Sequence, residues 1–394
     1  MPYCIISTVG QTVITNSDTQ ARDFLREFGR QRDVDLKAIA GNKLNFPGEQ
    51  WYSIVMASLR AKANDVALLR RASAELNHLV PTLQDQPPNR NDCLHFLASE
   101  TPDGVLAARI LADFCKEYFQ RETQVEIIEG LQVENGDRFR RKGLNNLISK
   151  VFSILRRAPA GTYQRIINPT GGFKGVVPYL TLIGMLENVE LSYIYESSSE
   201  MIRLAPVPLR LDFEQMEAAY EALVKCSNPE TPLTEAELRK ALGNEDQPVA
   251  THPLWSLFDF IDDNGETYYE PSGLGHIVIE HFRDKQKSKL YLSKQAQDAI
   301  RALDSTQRDI WRKLLNRMRD PEWRSLQEHA TLGGKVKIAK PASDERIFYF
   351  EEDDGSILIA EIARHSDDSY ERLASRGLRR ADYGPVMIWE GDLS

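Results

Sequence analysis

Along the first 205 residues, short runs of consecutive apolar side chains alternate with longer stretches in which apolar residues return every three or four positions. The first kind reads as strands and the second as amphipathic helices. Predicted strands are Tyr3 to Val9, Asp92 to Ser99, Gln124 to Glu129, Gln164 to Asn168 and Val189 to Tyr195. Predicted helices are Thr19 to Arg32 behind the cap candidates Ser17 and Asp18, then Gln50 to Leu79, Asp103 to Phe119 and Arg138 to Leu155. A succession of βαβ steps predicts an α/β domain with a mostly parallel sheet. Ligands in that architecture bind beyond the carboxyl ends of the strands.

After Pro206 and Pro208 the rhythm becomes helical, with Asp212 to Lys225, Thr234 to Leu242 and His276 to Arg283 separated by polar breaks near 228 to 232 and 244 to 253. Two short helices followed by Thr267-Tyr268-Tyr269 fit a winged-helix-like connector. Its low basic content speaks against DNA reading, and a structural or dimerising role fits better. From Ser288 a third unit begins. It reads as strand Lys289 to Leu292, helices Lys294 to Leu303 and Ser305 to Arg319, then strands Lys335 to Ile338, Arg346 to Phe350 and Ser356 to Ile362. Asp353-Asp354-Gly355 marks a hairpin between the last two. The predicted division is 1–205, 206–285 and 286–394: an α/β domain, a helical connector and a small α+β domain.

The 394 residues allow two or three domains, and 42% apolar with 27% charged residues excludes a disordered or fibrous chain. No uncharged apolar run reaches the roughly 18 residues of a membrane span, and Met1-Pro2-Tyr3-Cys4-Ile5-Ile6-Ser7 lacks the basic region and apolar core of a signal peptide. A cytoplasmic protein is expected. Cys4, Cys93, Cys115 and Cys226 lie far apart without metal-ligand spacing and read as buried small hydrophobes, so neither a metal nor a disulfide framework is expected. The net charge of −9 is unevenly spread: residues 286 to 340 hold 13 basic and 6 acidic side chains, a net +7, inside an acidic protein. Such a segment either attracts a polyanion or forms a solvated helix face.

Three predicted strand ends carry small polar residues: Ser7-Thr8-Val9-Gly10-Gln11-Thr12, Ser99-Glu100-Thr101, and Asn168-Pro169-Thr170-Gly171-Gly172-Phe173-Lys174-Gly175, which leads into a helix. Glycine pairs expose main-chain N–H groups, a helix start adds its positive end and Lys174 adds charge, a combination that suits a phosphate. The plainer reading is that the glycines merely turn the chain. The Walker and dinucleotide fingerprints are both missing, which removes most support for ATP hydrolysis and for dinucleotide binding.

The glycine loop, with Ser7-Thr8-Val9-Gly10 and Thr15-Asn16, resembles CARF domains, the CRISPR-associated Rossmann-fold sensors, over about residues 1 to 205. That resemblance implies a Rossmann-like parallel sheet and a homodimer with a cyclic oligoadenylate, the tetra-adenylate foremost, bound across the two-fold axis. Carried over residue by residue, the ligand-binding set is Thr8, Gly10, Gln11, Thr12, Glu100, Thr101, Asn168, Thr170, Gly171, Gly172, Phe173 and Lys174. Glu100, a carboxylate, would meet base or ribose rather than phosphate.

In the third unit, Lys335 and Lys337 stand two apart on one strand, Arg346 opens the next, Arg364 ends the third and Tyr370 follows six residues later. Clustered cations suit RNA cleavage by a ribose 2′-hydroxyl, because they stabilise charge accumulating on the phosphate, and a crowded lysine can serve as base. Ordinary solvated strand lysines are the plainer alternative. The string from Lys335 through Arg346, Asp353-Asp354-Gly355, Arg364-His365 and Tyr370 resembles RelE-family toxins, ribonucleases that act on messenger RNA in the ribosomal decoding site, over about residues 287 to 375. The resemblance implies that Lys335 and Lys337 bind phosphate and transfer protons, Arg346 and Arg364 stabilise the transition state, and Tyr370 stacks on a base or orients the attacking hydroxyl.

Joined, the halves resemble the CARF-RelE fusions, CRISPR-associated messenger-RNA interferases. The resemblance implies an endoribonuclease activated by cyclic oligoadenylate, with messenger RNA and the ribosome as partners and no metal, cofactor or membrane. Two other readings remain: a ring nuclease that degrades the cyclic ligand, and a ligand-controlled regulator without catalysis.

Overall fold

A computed structural model gives the structure of the chain and describes residues 1–18, 20–41, 46–132, 135–194, 200–207, 209, 211, 213–228, 232–243, 245–263, 266–283, 288–331, 336–340, 344–352, 355–366 and 368–389. The chain is mixed α/β, and its contacts divide it into two units, Met1–His281 and Phe282–Ser394.

The first unit is built on β1 (Tyr3–Thr8), β2 (Cys93–Ser99), β3 (Glu122–Ile128), β4 (Gln164–Asn168), β5 (Glu190–Ile194) and β6 (Met201–Leu204), in the spatial order β3-β2-β1-β4-β5-β6. The first five strands are parallel, and β6 closes one edge antiparallel to β5. Both faces of the sheet are covered, which is why its strands read as apolar runs. Period-two alternation sends Ile5, Leu94, Phe96 and Ile166 into one core and Cys4, Ile6, Leu97 and Ile167 into the other. The order reverses between β1 and β4, whose following chains leave toward opposite faces. Such a switch point opens a crevice at the carboxyl ends of the strands.

The predicted strands of this unit lie within a few residues of the observed ones. The helical stretch expected over Gln50 to Leu79 is three helices, Glu49–Lys62, Val66–Ala72 and Ala74–Leu83. Asp65 and Ser73 punctuate it: each accepts main-chain N–H bonds as an N-cap, Asp65 from Ala67 and Leu68 and Ser73 from Leu76. Apolar periodicity ran on across both caps, so it did not reveal the breaks. The stretch expected from Arg138 begins with a π-helical turn, Phe139–Gly143, before the regular helix Leu144–Arg157.

The middle segment belongs to this first unit. Its helices are Phe213–Cys226, Glu235–Ala241 and Gly273–Arg283, and β7 (Leu233–Thr234), β8 (Phe258–Asp263) and β9 (Glu266–Pro271) form an antiparallel sheet in the order β7-β9-β8. Thr234 and Glu237 form a reciprocal capping box at the second helix. The last helix is fastened to the α/β core. Ile277 joins the second core, buried Glu280 accepts from Ser149 at 2.8 Å and Arg156 at 2.6 Å, and His281 meets Glu187 at 2.7 Å.

The second unit holds β10 (Leu290–Ser293), β11 (Glu328–Thr331), β12 (Lys337–Ala339), β13 (Glu345–Glu351), β14 (Ile357–Arg364) and β15 (Val386–Ile388), ordered β11-β12-β13-β14-β10-β15. Among the described residues only the β10 to β14 pairing of this sheet is parallel. Helices Lys294–Arg301 and Ser305–Met318 pack Ile300, Trp311 and Leu315 against Ile347, Tyr349 and Ile359 on one face. Phe348, Phe350 and Leu358 on the other face meet Leu373 of helix Asp368–Ser375, Leu378 and Tyr383. Among the described residues no helix is long and apolar enough to cross a membrane.

Candidate functional site

The chains leaving β1, β2 and β4 converge on a cavity of about 580 Å³. A volume of that order holds a small molecule or a nucleotide-sized part of a larger one. From the first loop Thr8, Gly10, Gln11 and Thr12 line it; from the second, Thr101; from the third, Thr170 through Lys174. The two remaining sequence-predicted ligand residues do not. Asn168 is fully buried beneath its loop, donating to Ser7 Oγ at 3.0 Å and accepting from the main-chain N–H and hydroxyl of Thr170 at 3.2 and 2.5 Å. Glu100 turns away to accept from the Gly130 N–H at 2.9 Å and Arg138 Nη2 at 2.6 Å.

The glycines have a packing reason as well. Thr8 Oγ1 donates to the Gly171 carbonyl at 2.5 Å, drawing the first and third loops together. A Cβ on Gly10 would stand 2.7 Å from the Gly172 nitrogen, and one on Gly171 would stand 2.7 Å from the Thr8 carbonyl oxygen. Gly172 also has a φ of +75°, in the left-handed region. Side-chain-free positions in both loops therefore bring backbone against backbone and leave main-chain groups at the cavity wall.

Fixed polar contacts hold the wall. Thr101 caps helix Pro102–Phe119, accepting from Gly104 N at 3.3 Å, and its hydroxyl lies 2.9 Å from Ser99 Oγ. Thr12 Oγ1 accepts from Ala74 N at 3.2 Å. Lys174 Nζ donates to the Thr170 carbonyl at 2.6 Å, and Phe173 is edge-on to Phe139 with ring centroids 4.8 Å apart. Sequence reasoning missed the rest of the lining, notably Arg26, Arg30, Asp103 and Gln132. It also missed Glu75, fully buried behind the glycine loops, where its Oε1 accepts from Gly10 N at 2.7 Å. Asp103, directly after the helix-opening Pro102, was within reach of a reading of the loop after β2. Glu75 carried no local signal, because it sits in an apolar helical stretch far from any of the three loops. Cations, hydroxyls and main-chain groups equip the cavity for a phosphate-bearing ligand, and the Asp103 carboxylate accepts from the Gln11 side-chain amide.

In the second unit the sequence-predicted residues fall on different faces. Lys335 lies outside the described residues. Lys337 pairs in register with Tyr349, which belongs to the helix-covered core, and its Nζ is held by Glu351 at 2.8 Å and Glu328 at 3.2 Å. Those carboxylates, Glu351 first, push its pKa above the ordinary lysine value. Arg346 has the parity of Phe348 and points to the opposite face. Its guanidinium carbon is 5.8 Å from the Tyr370 ring centroid, its Nη1 donates to the Glu345 carbonyl at 2.7 Å, and the residue is buried. Tyr370 also meets Phe348 at 6.0 Å and His365 at 5.0 Å, in edge contact with the latter. Arg364 is opposite Glu345 and alternates away from Arg346's partner Ala363. Asp344 feels the charge of both arginines. Hydrogen bonds from Ser366 hold its carboxyl below the ordinary range, and both cations add to the effect. The structure thus joins Arg346, Tyr370 and His365, and sets Lys337 apart from them.

All four cysteines are free thiols, and among the described residues no cluster of three His, Cys, Asp or Glu side chains could hold a metal ion. Residues 70–207, which contain β2 through β6 and two of the three cavity loops, match a protein family described as CRISPR-associated protein (Cas_APE2256). That similarity supports a role in CRISPR defence.

Proposed function

We propose that the protein is a ligand-controlled effector of CRISPR defence, in which a cyclic oligoadenylate, foremost cyclic tetra-adenylate, binds the cavity of a homodimer and activates an endoribonuclease in the second unit. The observation that carries the reading is the cavity at the switch point of the parallel sheet, with hydroxyls, Lys174 and main-chain groups in its wall and two of its three loops within the CRISPR-associated match. A symmetric ring of phosphates suits a two-fold pair of such cavities. In the second unit the proposed substrate is messenger RNA on the ribosome. The ribose 2′-hydroxyl gives its proton to a base as its oxygen bonds to the adjacent phosphorus, the P–O5′ bond breaks, the 5′-oxygen takes a proton, and a 2′,3′-cyclic phosphate and a 5′-hydroxyl result. Arg346 would stabilise the charge on the phosphate oxygens, Tyr370 beside it would stack on a base, and His365, in edge contact with Tyr370, would exchange a proton with bound RNA. Arg364, which alternates to the other face, would act from the strand end.

The test is cleavage of a translated message in a reconstituted translation system, with and without cyclic tetra-adenylate, comparing wild type with Arg346→Ala/Arg364→Ala. Ligand-stimulated cuts that vanish in the double variant are expected. Equal cleavage with and without ligand would overturn the activation. One observation favours a second reading, a regulator without catalysis: Lys337 is engaged by two carboxylates rather than turned toward Arg346. Under that reading the double variant retains full biological effect.

A further inference from the structure

Gln11 lines the cavity and is exposed, whereas Asp103, beside it in the lining, is only 5% exposed. On the reading of the cavity as a cyclic oligoadenylate site, we infer that Asp103 fixes the orientation of the Gln11 amide, making Gln11 Oε1 the acceptor that selects a ligand N–H, the exocyclic amine of adenine.

A glutamine amide has the same shape in two orientations related by a half-turn, and only its neighbours decide between them. Here the neighbour is a carboxylate, which in its ionised form only accepts. Gln11 Nε2 donates to Asp103 Oδ2. The opposite orientation would set a carbonyl oxygen against a carboxylate oxygen at a poorly solvated position, where the repulsion is strong. The carboxylate has little freedom to turn away. It stands on the first turn of helix Pro102–Phe119, and a Cβ on Gly29 would come within 2.8 Å of its Oδ1, so glycine there leaves room for it. Among the described residues Oδ1 is buried without a hydrogen-bond partner, and Gln11 is the neighbour that engages the carboxylate. The second end of the Gln11 amide, Oε1, is left to the cavity.

A ring of adenylates offers that acceptor two kinds of donor, the adenine amine and the ribose 2′-hydroxyl. The hydroxyl both donates and accepts, so it would satisfy either orientation of the amide and would give Asp103 nothing to select. The amine only donates, and it is the group that an oriented acceptor distinguishes. Asp103 is thus a positioning residue and Gln11 the specificity-determining one.

The test is binding of three rings to the full-length protein: cyclic tetra-adenylate, the cyclic tetra-inosinate that carries a carbonyl in place of each amine, and the 2′-O-methylated tetra-adenylate. Wild type should bind the inosinate ring at least about tenfold more weakly than the adenylate ring, the scale of one lost hydrogen bond. In Asp103→Asn, whose own amide can donate or accept, Gln11 is free to turn and the ratio should fall to within about threefold. An unchanged ratio in the variant, whatever its absolute affinity, overturns the inference, because a merely structural role would weaken both rings alike. A large penalty for 2′-O-methylation with none for inosine makes the ribose the donor and overturns it as well. If none of the three rings binds wild type, the cyclic oligoadenylate reading falls instead. The amide orientation is then decided in the free protein. The Gln11 side-chain N–H resonance, identified by its loss in Gln11→Leu, should move on Asp103→Asn, and an unmoved resonance refutes the contact.

Discussion

Glu75 Oε1 accepts the main-chain N–H of Gly10 at 2.7 Å from a position with no solvent exposure. The contact ties the helix Ala74–Leu83 to the loop leaving β1 and backs the two glycine loops from behind. Burial pushes the Glu75 carboxyl up from its ordinary range, while the Gly10 and Glu75 N–H groups, Ser73 and the charge of Lys174 pull the other way.

A carboxyl whose folded value is raised favours the protonated form in the native state. Its stabilisation is complete below the ordinary value of 4.5 and is lost as pH rises through the raised one. Glu75→Gln keeps an acceptor for Gly10 N and cannot ionise. The melting temperature of the variant should therefore gain on wild type as pH is raised from about 4 to about 8. Thermal melts across that range check it, and parallel curves would show that Glu75 does not titrate with folding.

The alternation of apolar runs and amphipathic stretches made the α/β core legible, because β1, β2 and β4 are buried on both faces over most of their length and end in polar residues at their carboxyl ends. Those polar ends lead into the cavity loops, so the position of the cavity was legible too. What was not legible depended on partners distant in sequence. Asn168 and Glu100 look like ligand residues in a linear reading, yet each spends its side chain on the protein's own backbone or neighbours. Edge strand β6, with Ile202 and Leu204 exposed, lacks the two-sided burial that marks its neighbours. In the second unit, face and register separate Lys337 from Arg346, and neither can be read from spacing alone while Glu328 and Glu351 remain unplaced.

The close approach of the two glycine loops yields a steric prediction. Gly171→Ala places a methyl group against Glu75 Oε1, which accepts from Gly10 N, and against the Thr8 carbonyl, which accepts from Ser7 Oγ. A cost of about 1 to 3 kcal/mol is expected from such overpacking, with weakened binding of cyclic tetra-adenylate as the loops part. Gly136→Ala, whose added Cβ meets nothing within 4 Å, should leave both unchanged. Denaturant unfolding and ligand titration of the two variants check this. Equal behaviour would mean that the loops part without cost.

The opposite faces occupied by Lys337 and Arg346 give a ranking of variants in RNA cleavage. A lysine acting as base must lose its proton, and the carboxylates of Glu351 and Glu328 oppose that loss. Lys337 also holds down the pKa of Glu351, although burial pushes that carboxyl up. The pairing is therefore intact above the ordinary carboxylate range and is lost only as pH falls through the depressed Glu351 value. Its side chains are partly exposed, so the pair should contribute no more than about 1 kcal/mol of stability. Lys337→Ala should then reduce cleavage less than tenfold. Arg346→Ala, which removes a buried cation beside Tyr370, should reduce it about a hundredfold or more, on the scale of a lost transition-state donor. Single-turnover cleavage by both variants decides the matter. If Lys337→Ala abolishes cutting while Arg346→Ala preserves it, the reacting phosphate sits on the helix-covered face and the assignment of Arg346, Tyr370 and His365 falls.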